Sequence, residues 1–115
     1  MEKLTETDRK ELHRGTVLCL PGYETDPGPL AYMLIDLTGY YPGLALVQAT
    51  GYHAGLISRV LPPESRVSGR SVVSVAWLKE NWQRIEDCEP DEVYILDRLE
   101  LPDVVHQMEF RVLPE

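Results

Sequence analysis

The chain has few of the residues that small proteins use for staples or metal sites: two cysteines and three histidines in 115 residues. His13, His53 and His106 stand far apart, and no HxxxH, HExxH or CxxC spacing occurs, which argues against a metal centre. Cys19 lies in an apolar run and Cys88 among acids, so the two read as free thiols of a cytosolic protein. No apolar run approaches the roughly 20 residues of a bilayer span. Residues 1–14 alternate acids with bases instead of placing cations before an apolar stretch, so no secretory signal is expected. A soluble cytoplasmic protein is the reading. Bases are scarce as well, 11 against 19 acids, for a formal charge of -8. That balance argues against binding to nucleic acid, which needs clustered Lys and Arg, and no basic amphipathic helix suggests a membrane surface.

The acids that are present are unevenly placed. Glu86, Asp87, Glu89, Asp91, Glu92, Asp97, Glu100 and Asp103 face only Arg98 in their stretch, so -7 of the -8 falls there. A charge run is ordinarily a solvated face. This one follows the best helix of the chain, where carboxylates oppose the helix dipole and gain nothing for folding. A field so lopsided suits attraction of a basic partner.

The length predicts one domain over residues 1–115, with about 65% of the unfolded surface buried. Residues 1–14 read as a mobile arm or a short helix, because Leu4 and Leu12 are their only large apolar residues. Strands are predicted at 16–20, 31–38, 44–49 and 56–61, with a brief extended piece at 71–73 and further strands at 93–96 and 110–113. The run at 44–49 is apolar on both alternate faces, which places it inside the sheet. With 56–61 it reads as an antiparallel hairpin, bulged at Gly51 or Gly55. Ser74 suits an N-cap, and Val75, Leu78, Trp82 and Ile85 form one apolar stripe at helical period, ending near Arg84. The expected class is α+β: about six mostly antiparallel strands, able to close into a partly open barrel, packed by one main helix.

No residue set makes a catalytic centre. His53 is the best candidate general base, yet no nucleophile or orienting carboxylate can be set beside it from sequence, and an exposed turn histidine is the plainer reading. A thiol such as Cys19 inside an apolar strand is normally inert. Glu24 and Asp26 read as solvated acids of a Pro/Gly loop. No glycine-rich loop precedes a helix to hold phosphate. Trp82 belongs to the core stripe, whereas Trp77 points away from it and either packs under a neighbouring strand or loop or sits at a binding surface. Tyr23, Tyr40 and Tyr41 at turns share that ambiguity.

The segment Thr50-Gly51-Tyr52-His53-Ala54-Gly55-Leu56-Ile57, continuing through Val60-Leu61-Pro62-Pro63-Glu64-Ser65, together with Val75-Ala76-Trp77-Leu78-Lys79-Glu80-Asn81-Trp82 and the following acids and Val93-Tyr94, resembles the immunity protein 45 family of bacterial polymorphic-toxin systems. The resemblance covers residues 15–96. Beyond Trp82 the chain departs from the family pattern, which carries a further aromatic near Arg84 and Ile85, and the tail from Leu99 is unmatched. The resemblance implies a non-enzymatic cytoplasmic protein without cofactor that silences one cognate toxin domain, delivered by contact-dependent inhibition or type VI secretion, and so protects the producer and its siblings. The charge then implies a basic toxin, with a nuclease fitting well, because a site for phosphates is itself cationic. Tyr52 and Trp77 are the expected anchors, and Glu86, Asp87, Glu89, Asp91 and Glu92 the steering charges. The alternatives are a small hydrolase or transferase using His53, and a chaperone or adaptor for a secreted effector.

Overall fold

The computed structural model describes residues 2–37 and 43–109. Eight strands and two helices follow in the order β1 (Glu2–Lys3), β2 (Glu11–His13), β3 (Val17–Leu20), β4 (Leu30–Asp36), β5 (Leu44–Gln48), β6 (Ile57–Val60), β7 (Val72–Ser74), α1 (Val75–Ile85), β8 (Tyr94–Leu96) and α2 (Asp103–His106). Six strands form one antiparallel sheet in the order β1-β8-β3-β4-β5-β6, and β2 pairs with β7 in a second, two-stranded sheet. The fold is α+β, and the large sheet is not closed into a barrel: β1 and β6 are its edges. The strand expected at 110–113 and the turn tyrosines Tyr40 and Tyr41 lie outside the described residues.

Register assigns the two faces, since directly opposed residues share a face and alternate along each strand. Leu18 opposes Tyr32 and Ile95, and Leu34 opposes Leu46; these point to the core. There they meet Val75, Leu78, Trp82 and Ile85, the buried stripe of α1. The helix begins where Ser74 Oγ accepts from Trp77 N–H at 3.2 Å, which supplies one of the four donors a helix start leaves unpaired. The other face is apolar too. Val17 opposes Met33, Met33 opposes Val47, and Val47 opposes Ile57. This is the double apolar pattern seen in 44–49, and β5 is interior, though it neighbours the edge strand β6.

One expectation is corrected. Residues 2–14 are neither a helix nor a frayed arm: β1 joins β8, Leu4 N–H bonds Val93 O at 2.8 Å, and Leu4 and Leu12 are buried in the core. Thr7 and Arg9 hold Glu2 from within the same segment, at 2.7 and 2.8 Å. A segment poor in apolar residues docks here through backbone pairing. The expected bulge is present at Gly55: its N–H bonds Gln48 O at 2.7 Å while Gln48 N–H bonds Leu56 O at 2.9 Å, so two residues oppose one, with Gly55 at φ +92°. A second irregularity falls in β6. Arg59 opposes Leu46 and Ile57 opposes Val47, so Ser58 is the extra residue.

Candidate functional site

The acidic segment starts at the C-terminal end of α1 and divides into two clusters. Glu86 terminates the helix and is half-buried, accepting from Tyr23 O–H at 2.6 Å and from Ser58 O–H at 3.4 Å. Arg59 folds back to donate from Nε to Ile85 O at 3.0 Å. Tyr23, Thr25, Arg59, Ile85, Glu86 and Asp87 thereby line a shallow basin of about 300 Å³ beside β6. Burial, and then the Glu86 carboxylate, push the Tyr23 hydroxyl well above its ordinary value. The same two causes, in the same order, raise Tyr32.

The second cluster lies on the β8 side of the sheet. Glu89 and Glu92 cap the short 3-10 turn Pro90–Glu92 reciprocally, and Gln83 donates to Glu89 at 2.8 Å. Asp91 is 3.8 Å from Lys3, and Asp91 and Glu92 line a broad depression with Lys3, Cys19 and Tyr94. Further on, Asp97 pairs with Arg9, which also holds Glu2 at 2.7 Å. The hydrogen bonds and charge of Arg9 keep Asp97 below the usual carboxylate range. Of the eight acids, Asp91 and Asp97 thus acquire a cation.

Tyr52 is 78% exposed in the loop before β6. What holds the loop is Asp26, expected as a solvated turn acid and found 6% exposed. Its carboxylate accepts from Gln48 Nε2 at 3.0 Å and from Tyr52 N–H at 3.2 Å. Burial acts to raise the Asp26 carboxyl, and the bonds from Tyr52, Gln48 and His53 outweigh it, leaving it below its ordinary value. Gly51 is required at this place: its φ is +85°, and a Cβ there would sit 2.7 Å from Asp26 Oδ1. Trp77 is half-buried against the core.

Arg59 was not legible as a site residue, Asp26 read as a solvated turn acid, and Tyr23 stood open between packing and a binding surface. Each acquires its role from a partner more than 20 positions away, and no local pattern signals that. The structure does give His53 a carboxylate, since its Nδ1 lies 3.6 Å from Asp26. That carboxylate is committed to the loop, the imidazole is 66% exposed, and the basins described above do not include it. Cys19 and Cys88 are free, and burial raises both thiols, with the Trp82 indole opposing it at Cys88. Among the described residues no group of three or more His, Cys, Asp or Glu could hold a metal, and no helix is long and apolar enough to cross a membrane.

The chain is thus an acidic α+β protein with an ordered, tyrosine-bearing loop and carboxylates arranged as surface and caps. Its family is specific: the immunity protein 45 profile matches residues 4–95, and the chain belongs to that family. Immunity families are generally non-enzymatic and act against a toxin partner. No curated protein and no solved structure matches the chain.

Proposed function

We propose that this chain is the immunity partner of one toxin domain, which it binds in the folded state and silences in the cytoplasm, protecting the producing cell and its siblings from a toxin delivered by contact-dependent inhibition or type VI secretion. The family match over residues 4–95 carries the reading. The charge of -8 supports a basic toxin, and a nuclease fits, because a phosphate-attracting site is cationic. In this reading Asp87, Glu89, Asp91 and Glu92 steer encounter and Tyr52 anchors the complex. Glu86 and Trp77 contribute from half-buried positions.

The test is to read whether a neighbouring gene encodes a toxin domain and to co-express that domain with this chain. Growth restored by the chain, and capture of the isolated toxic domain, support the reading. Capture only of an upstream secretion segment indicates an adaptor instead. Changing Asp87, Glu89 and Asp91 to Lys is expected to lower the association rate about tenfold at low salt and to flatten its salt dependence. An unchanged rate refutes steering. A His53→Ala chain is expected to protect fully, and loss of protection with the fold intact would favour catalysis through that histidine.

A further inference from the structure

The two edges of the large sheet are treated differently. β1 has two residues, Glu2 and Lys3, both charged and both in ion pairs. Shortness and charge are what natural sheets use to stop an edge from pairing with another chain. β6 is twice as long and carries a single charge, Arg59. Of the eight large apolar residues exposed among the described residues, four lie on it or in the loop before it: Tyr52, Leu56, Ile57 at 51% and Val60 at 52%. No proline or lysine interrupts it, and its one cation, Arg59, is turned back onto Ile85 O. The Ser58 bulge twists the strand but leaves donors and acceptors outward. Leu61 N–H bonds Leu44 O and Leu56 O accepts from Gln48 N–H, so the backbone groups of Val60 and Ile57, one step inward from each, turn to the free side.

The surroundings state the chemistry of an occupant. On the face opposite α1, Ile57 and Val60 continue the apolar row of Val47 and Ala45. On the helix face the edge meets the Glu86–Asp87 basin. A second copy of this chain would bring another -8 and another Glu86–Asp87 pair to the seam, so charge opposes it. We propose that the free side of β6 receives an extended segment of a cationic protein as a seventh strand, with Lys or Arg alternating with aliphatic residues: cations toward Glu86 and Asp87, aliphatic side chains on Ile57 and Val60. Backbone pairing supplies the register, and the period-two pattern supplies selectivity. That this protein is the toxin rests on the immunity reading above.

Hydrogen exchange on the intact chain tests the edge with a blocked peptide alternating Lys and Val and its Glu/Val counterpart. The Lys/Val peptide is expected to slow exchange of the Ile57 and Val60 amides by about tenfold, and the Glu/Val peptide to leave them unchanged. Val60→Pro removes an outward donor that β5 does not use, and Ile57→Lys places a like charge against the incoming strand. Each is expected to weaken Lys/Val binding about tenfold. Equal effects of both peptides, protection at β1 instead, or protection that grows with chain concentration alone each overturn the proposal. Capture of the neighbouring gene's toxin domain by both variants as strongly as by the unmodified chain overturns edge docking of the toxin and leaves the immunity reading standing. If the unmodified chain captures no toxin, the immunity reading falls and the peptides still decide the edge.

Discussion

Replacing Leu12 with alanine tests whether the N-terminal segment is part of the folded core. Leu12 is 1% exposed on β2, and it lines a small void of about 10 Å³ with Leu18, Leu34, Leu46, Leu61 and Leu78. The void is apolar, so water does not fill it. Leu→Ala substitutions in cores cost about 2–5 kcal/mol, the lower end where neighbours collapse inward and the upper end where they cannot. Here the neighbours are fixed by β3, β4, β5 and α1, and the removed carbons extend an existing void, so about 3 kcal/mol or more is expected. At about 2.1 cal/mol/K per residue the unfolding entropy of a 115-residue chain is about 240 cal/mol/K, which makes that loss about 12 °C in Tm. Urea unfolding should give the same loss at unchanged slope, because the surface exposed on unfolding hardly changes. Met108→Ala, at an exposed site, is the control and should stay within about 0.5 kcal/mol. A Leu12→Ala loss below about 1 kcal/mol would show that the segment is not docked.

Ser74→Ala removes the acceptor for Trp77 N–H and should cost about 1 kcal/mol by urea unfolding. Tyr23→Phe deletes the half-buried bond to Glu86 and should cost about 1 kcal/mol. Because folding holds the Tyr23 proton more tightly, its contribution is complete below about pH 10 and is lost as pH rises further; the Phe variant should show a smaller alkaline loss of stability. Asp26 titrates below its ordinary value, so its contribution is complete above about pH 4 and is lost as pH falls through the lower folded value, and Asp26→Asn should flatten that acid limb in pH-dependent unfolding. Gly51→Ala should cost about 1–2 kcal/mol for the left-handed backbone alone, with more from contact with Asp26, and should raise amide exchange at Tyr52.

What was legible in the sequence is what a short window determines. The stripe Val75, Leu78, Trp82 and Ile85 behind Ser74 identifies α1 because a helix closes its own hydrogen bonds and shows its buried face within four turns. The apolar runs of β3, β4, β5 and β8 identify the sheet for a similar reason. The N-terminal strands were not legible, since two and three residues carry no period and their partners, β8 and β7, lie about 60 positions away or more. The bulge at Ser58 is a property of two strands in register and belongs to neither sequence alone. Asp26 looked like any acid beside a proline. Its burial follows from donors that Gln48 and Tyr52 bring from across the fold.

The sign of the acidic segment was legible, and its geometry was not. Hydrogen bonds to Glu86, Glu89 and Glu92 organise these carboxylates without neutralising them, so they still contribute to the external field. Lys3 and Arg9 compensate Asp91 and Asp97, and both compensations fall on the β8 side. The β6 side keeps Glu86 and Asp87 with Arg59 as the only cation in their basin, and that guanidinium is tied to a backbone carbonyl. At physiological ionic strength charges are screened beyond about 8 Å, so a partner close to the surface senses each cluster separately. Glu86 and Asp87 keep a negative basin beside the apolar strand whose free side faces outward, so an approaching cation and a pairing strand would meet on the same edge.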